Sequence, residues 1–225
     1  MAAPDPSPIV LVPVLAGGRT DRLLEPLAGR SSLERTLAAA VEELPGATVA
    51  VTTDADEVKA AARAFGRGVV VHDRTVHDYV PALLAAMNDL RPDAAVVAVL
   101  EATHPFRPRG LVGRTVENLR ARPHLDSVVC VRQFKANLWH LDADDTITAL
   151  SPGGDHRDRT YYQEMVGLGL ATRPHLLRHG RRLGDSVGFE VVDRFWGLVD
   201  IRDSVSLAVA RVIAGELESL EDSIQ

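Results

Sequence analysis

Five short apolar runs pace the first 130 residues: IVLVPVL (9 to 15), ATVAVTT (47 to 53), GVVVHD (68 to 73), AAVVAVLE (94 to 101) and SVVCV (127 to 131), with helical patterns between them. Runs that are apolar throughout, rather than alternating, belong to strands buried on both faces, and helices between such strands make the sheet parallel. The intervening helices are well marked. Ser31-Ser32-Leu33-Glu34 reads as a capping box, with Ser31 as N-cap and Glu34 reaching back, ahead of Leu33, Leu37, Ala40, Val41 and Leu44 at helical spacing. Asp54-Ala55-Asp56-Glu57 is a weaker, acidic start before Val58, Ala61, Ala62 and Phe65. Two more helices are expected over 78 to 90 and 109 to 121. The result is a doubly wound α/β domain with a mostly parallel sheet. Ligands of such sheets bind beyond the carboxyl ends of the strands, so the candidate loops begin at Leu15, Thr53, Asp73 and Glu101.

The rhythm breaks from about 132 to 185, where Phe134, Trp139, Tyr161 and Tyr162 flank SPGGDHRDR at 151 to 159. That segment reads as a turn-rich loop. We take 1 to 225 as one domain in which 134 to 185 forms a small α+β excursion from the sheet, a subdomain or dimerisation arm. SVGFEVVD (186 to 193) returns as a strand, and the chain closes with a helix in VDIRDSVSLAVARVIAGEL.

Charge limits the partners. The net charge is −6, so no global basic surface points to nucleic acid or an anionic membrane, and any phosphate site must be local. No apolar run approaches the roughly 18 residues that span a bilayer, and MAAPDPSPIV has no basic and apolar leader pattern, so a cytoplasmic protein is expected. The single cysteine, Cys130, reads as a buried strand thiol. Of 25 basic residues only Lys59 and Lys135 are lysines.

The loop LAGGRTDRL at 15 to 23 is the first motif. Gly17 and Gly18 allow close backbone approach and positive φ, so their amides can meet phosphate oxygens, while Arg19 and Arg22 bracket the turn as bidentate donors. It lacks the GKS or GKT of a P-loop and the third glycine of a dinucleotide fingerprint. A plain glycine turn between strand and helix is the structural alternative.

LAGGRTDRL resembles the LAGGxGxRL signature of nucleotidyltransferases of the sugar-nucleotide and molybdenum-cofactor type, with Thr20 where a glycine is common. VTTDADEVKAAARAFG (51 to 66) is similar to the VSTDxxEIxxxAxxxG segment of acylneuraminate and ulosonate cytidylyltransferases, and VLEATHPFR (99 to 107) is similar to their LLQPTSPLR. Asp78, Asn137 with Trp139, Tyr162, GRRLGDSVGFEVV (180 to 192) and VDIRDSVSLAVA (199 to 210, against DIDTxxDLxxA) follow in order over nearly the whole chain.

The resemblance implies the Rossmann-like fold of nucleotide-diphospho-sugar transferases and transfer of CMP from CTP to a small anionic acceptor, by default a nonulosonate or ulosonate sugar acid, with diphosphate released; the changed acceptor-side residues and the arginine-rich composition make a phosphonate the rival acceptor. It implies nucleotide contacts at Leu15, Ala16, Gly17, Gly18, Arg19, Arg22, Thr53, Asp54, Thr103 and Pro105, and catalytic roles for Arg19, Arg22 and Asp200. Acceptor contacts fall to His104, Arg107, Tyr162 and Arg181, with Arg157, Arg159 and Arg182 as further cations. Magnesium is expected on Asp200 and Asp203, and a homodimer through 134 to 185. Asp200 also reads as a simple helix cap, and His104 as a surface loop histidine.

The chain departs from the family pattern in places. Ala16 replaces an arginine, the loop lysine is missing, Glu101 replaces the glutamine of QPTSP, Met165 and Val166 replace an asparagine and a glycine, and Arg202 stands where DIDT has a carboxylate. A catalytically silent nucleotide-binding relative, serving as sensor or partner subunit, is the competing expectation.

Overall fold

The structure, a computed structural model, describes residues 7–17, 20–136, 138–150 and 160–222, the last five of these in their backbone alone. The expected strands form at β1 (Ile9–Val14), β4 (Thr48–Thr53), β5 (Val70–Asp73), β6 (Val97–Val99), β7 (Ser127–Phe134) and β12 (Val187–Val191). β2 (Pro26–Leu27) and β3 (Arg30–Ser31) are a two-stranded turn, and β8 (Trp139–Leu141) pairs β9 (Ile147–Ala149) in a hairpin apart from the main sheet. In the main sheet β10 (Tyr161–Glu164) and β11 (Leu170–Thr172) pair successive stretches of β7 along one side, β12 pairs β7 along the other, and from β11 the order continues β6, β1, β4, β5.

β1 is parallel to both β4 and β6, and β4 to β5. The chain therefore leaves β1 toward β4 and later returns to its other side at β6. This reversal is the crevice in which doubly wound sheets hold ligands. Alternate residues of β1 feed two cores. Val10 and Val12 pack with Leu33, Leu37, Val58, Val116 and Leu119 from α2 (Ser32–Glu43), α3 (Asp56–Phe65) and α5 (Leu111–Ala121). Ile9 and Leu11 face Leu83 and Met87 of α4 (Tyr79–Leu90) and Leu177 of α6 (Pro174–Arg178). Burial on both faces is why the strand has no polar alternation.

The capping box forms as read: Ser31 Oγ accepts from Glu34 N–H at 3.2 Å and Glu34 Oε2 accepts from Ser31 N–H at 2.6 Å. The acidic start of α3 does not cap. Its N-cap is Ala55, without a side-chain bond.

The stretch from 134 to 185 leaves the sheet less than expected. β10 and β11 return to it antiparallel, and β11 lies between β6 and β7. Just before β11, a Cβ on Gly169 would stand 2.8 Å from Cys130 Sγ, so the close approach of the two strands requires glycine there. Cys130 is buried as expected, and burial pushes its thiol up to about 11. The loop 151 to 159, including Arg157 and Arg159, lies outside the described residues, as does Asn137. After a 3₁₀ turn at Phe195–Leu198, α7 (Ser204–Asp222) packs Leu207 and Ala210 on Leu27, Phe106, Trp196 and Ile201.

Candidate active site

A cavity of about 510 Å³ opens at the carboxyl ends of β1, β5 and β6, lined by residues 13 to 17, Leu23, Arg74, His77, Tyr79, Glu101, Thr103 and Arg202. Three of the four loops expected to form a site line it. Leu15, Ala16 and Gly17 form its first wall, with Gly17 at φ +148° and open space where a Cβ would lie. Gly18 and Arg19 lie outside the described residues. α1 (Thr20–Leu24) continues from the loop, and Thr20 donates from both N–H and Oγ1 to the Gly17 carbonyl at 3.2 Å.

Asp54 acts on this wall from behind. Its Oδ1 accepts from Ala16 N–H at 2.7 Å, holding the first loop to the end of β4. Thr53 is fully buried, with Oγ1 accepting from Ala55 N–H and its carbonyl accepting from Arg74 N–H. It shapes the loops and does not line the cavity. Arg22, expected to meet phosphate, donates through Nη1 to the Arg202 carbonyl at 3.3 Å and does not line the cavity.

Glu101 ends the central strand in the cavity wall. Tyr79 Oη donates to its Oε1 at 3.1 Å, and burial, then Glu101, pushes the Tyr79 phenol well above its usual value. The Glu101 side chain lies over Gly167, where a Cβ would come within 2.7 Å of its Cδ, and Gly167 has φ +89°. Only glycine takes both this backbone and this contact without strain.

Arg107 is turned into the protein, which corrects its assignment to the acceptor. All five of its N–H groups are used: Nε on the Leu168 carbonyl, Nη1 on Thr36 Oγ1 and the His104 carbonyl, Nη2 on the Glu101 and Gly167 carbonyls, at 2.5–3.0 Å. Burial pulls its pKa down to about 10. Arg107 is the staple that joins the 101–107 loop to the 167–168 turn. His104, also expected to touch the acceptor, is 1% exposed, with Nδ1 3.1 Å from the Val199 carbonyl and Nε2 3.0 Å from the Val166 carbonyl. Two facing carbonyls would suit a protonated ring, but burial and the adjoining Arg107 charge outweigh them and pull the pKa to about 4. The ring is neutral at pH 7 and holds the 166 turn to the 199 segment. Pro105 is buried as well.

The other two acceptor candidates also fall away from the cavity. Tyr162 stacks on Phe189 with centroids 5.2 Å apart and does not line it. Arg181 follows α6 at the opposite, amino-terminal edge of the sheet and pairs with Asp185 at 2.7 Å, where Asp126 Oδ2 accepts from the Asp185 amide. Arg182 makes a two-point pair with Glu164. Sequence reasoning placed arginines by their neighbours along the chain, and it missed Arg74, His77 and Tyr79, although Asp73 had marked their loop. Arg74 is 8% exposed, and its guanidinium ties its own loop to the Val76 and His77 carbonyls while lining the cavity.

The carboxylates do not build the expected two-ligand magnesium centre. Asp203 caps α7: its Oδ1 accepts from Ser206 N–H at 2.7 Å and Oγ at 2.8 Å, and these bonds lower its pKa. Asp200 Oδ2 accepts from Arg202 Nε at 2.5 Å, while Oδ1 is buried without a hydrogen-bond partner and 3.9 Å from His104 Nε2. No cluster of three or more metal-ligating His, Cys, Asp or Glu exists among the described residues. The sequence left Asp200 open between ligand and cap. In the structure Asp203 is the cap and Asp200 is the partner of Arg202.

A doubly wound sheet with a glycine loop after its first strand and a cavity at its point of reversal is the arrangement in which α/β proteins hold ligands, nucleotides among them. Residues 12–183 match the model of the MobA-like NTP transferase domain, and the chain belongs to that family of nucleotidyltransferases. No curated protein matches it by sequence. Among solved structures it is similar to CMP:2-keto-3-deoxy-manno-octonic acid synthetase complexed with CTP, at 16% identity and TM-score 0.70, covering 94% of this chain and 99% of that one. It is also similar to 4-diphosphocytidyl-2C-methyl-D-erythritol synthase from Anaerococcus prevotii DSM 20548, at 14% identity and TM-score 0.68, covering 92% and 98%. At these identities the likeness is one of fold.

Proposed function

We propose that the protein is a cytidylyltransferase that transfers CMP from CTP to a small anionic acceptor and releases diphosphate. The observation that carries this reading is the cavity at the β1/β6 reversal, which the glycine loop and Arg202 line together. Both solved neighbours have cytidylyl chemistry in their names, and one holds CTP. In the reaction the acceptor oxygen attacks the α-phosphorus in line and diphosphate leaves, so the protein's task is to position two anions and offset charge on the leaving group. The loop 15–17 backbone and Arg202 meet the triphosphate, with the Thr103 hydroxyl, which is buried without a partner, as a further donor. Among the described lining residues Arg74 is the other arginine, and it is the cation we assign to the acceptor's carboxylate, phosphate or phosphonate.

The acceptor proposed is a nonulosonate or ulosonate sugar acid, the family default, or a phosphonate, which the altered acceptor-side residues favour. The family reading of a homodimer is supported by the β8–β9 hairpin, whose Trp139, Leu141 and Ile147 are 65%, 60% and 65% exposed. Such side chains on a protruding hairpin suit burial against a second copy. A cytoplasmic location is likewise proposed; no described helix is long and apolar enough to cross a membrane. The engagement of Asp200 by Arg202 favours a second reading, a silent nucleotide-binding relative. Diphosphate release from CTP with a panel of sugar acids, polyol phosphates and hydroxyphosphonates decides between them. Release with one acceptor class supports the enzyme, and CTP binding without release across the panel supports the silent relative.

A further inference from the structure

Arg202 is built into the cavity wall as a fixed charge. Its backbone N–H donates to Ser206 Oγ at 2.9 Å, and its carbonyl accepts from Arg22 on α1, the helix that continues from the glycine loop. The guanidinium donates from Nε to Asp200 and lies 3.9 Å from Glu101 Oε2, beyond hydrogen-bond reach. Burial disfavours the charge, but Asp200 and then Glu101 outweigh it and raise the pKa, so Arg202 is a cation at every working pH. Two carboxylates around one positive centre at the mouth of a phosphate loop is the arrangement expected of a metal ion. Here the centre is a side chain. Beside it Thr103 Oγ1, a hydroxyl in the cavity lining, is buried without a partner. A buried hydroxyl left unpaired beside a free guanidinium fork points to a ligand in the cavity that accepts from both.

We propose that Arg202 takes the place of a protein-bound metal ion and binds the diphosphate portion of the nucleotide through its Nη groups, so that polyphosphate binding needs no divalent cation. The inference rests on the nucleotide reading of the cavity but not on the identity of the base or of the acceptor. A guanidinium suits the role because its planar fork matches two phosphate oxygens, and among the described residues its Nη groups have no hydrogen-bonded acceptor. It also explains how a loop without a lysine meets phosphate. The charge comes from the other end of the chain, carried to the loop by the segment that precedes α7.

The test is calorimetric binding of inorganic diphosphate and of CTP in EDTA and then in excess magnesium. It compares the unaltered protein with Arg202→Gln, Arg202→Lys and Arg202→Asp, each checked for an unchanged melting transition. The unaltered protein binds both ligands in EDTA, Arg202→Gln loses about tenfold or more, and Arg202→Lys keeps part of the affinity. Arg202→Asp binds only when magnesium is added, because the substitution restores a carboxylate pair. Equal diphosphate affinity of the unaltered protein and Arg202→Gln in EDTA overturns the proposal. So does strict magnesium dependence in the unaltered protein. Arg202-dependent diphosphate binding with CTP no tighter than diphosphate keeps this proposal and removes the cytidine reading instead.

Discussion

Replacing Arg107 with methionine keeps most of the side-chain volume and removes five donors. The five bonds tie the Leu168, His104, Glu101 and Gly167 carbonyls and the Thr36 hydroxyl to one buried cation. At the low end for bonds with a charged partner, about 1.5 kcal/mol each, they contribute roughly 7 kcal/mol. Against this stands the cost of burying the charge, which shows in the fall of its pKa from 12.5 to about 10 and corresponds to about 3 kcal/mol. The net loss is then about 4 kcal/mol. A second route agrees: the Glu101 and Gly167 carbonyls still accept from the His104 and Glu101 amides, so the Leu168 and His104 carbonyls are the ones stranded, at roughly 1–3 kcal/mol each. In a chain of 225 residues this lowers the melting temperature by roughly 8–16 °C. Differential scanning calorimetry with urea unfolding at 25 °C measures it. A melting temperature within about 2 °C of the unaltered protein refutes the staple and reopens Arg107 as a ligand contact.

His104 ties stability to pH. Its folded pKa of about 4 lies below the ordinary 6.5, so the unfolded chain takes up the proton first; its contribution is complete above pH 6.5 and is lost as pH falls toward 4, up to about 3 kcal/mol. Unfolding of His104→Gln across that window should show a shallower loss, and an identical slope would count against a neutral buried ring. Gly167→Ala meets both a left-handed φ and Glu101 carbons at 2.7–2.8 Å, and is expected to cost about 3 kcal/mol in chemical denaturation; a neutral result would show that the turn rearranges freely. Asp54→Ala frees the Ala16 amide and should weaken CTP binding about fivefold through a less ordered loop, with little change in melting. Undiminished affinity would show that the loop needs no brace.

The fold was legible where one strand or helix carries its own signal. The apolar runs and the Ser31 capping box depend on neighbours within a few residues and formed as read. β11 was not legible, because three residues after Gly169 carry no period and its place is set by β6 and β7. The site was legible as loops and not as side chains. The loops after β1, β5 and β6 converge because the topology brings them together, but the direction of Arg107 depends on carbonyls from segments 60 residues away, and that of Asp54 on an amide 38 residues back. Arg202 was visible as a departure from a motif; its ion pair with Asp200 gave the departure a physical meaning.

A crystal structure of the protein with CTP would show directly whether the cavity is the nucleotide site. The triphosphate is expected against the Leu15–Gly17 amides with its terminal phosphates on Arg202, inside the cavity at the β1/β6 reversal. CTP bound elsewhere on the molecule, or in the cavity with its phosphates turned away from both Arg202 and the glycine loop, would contradict this placement.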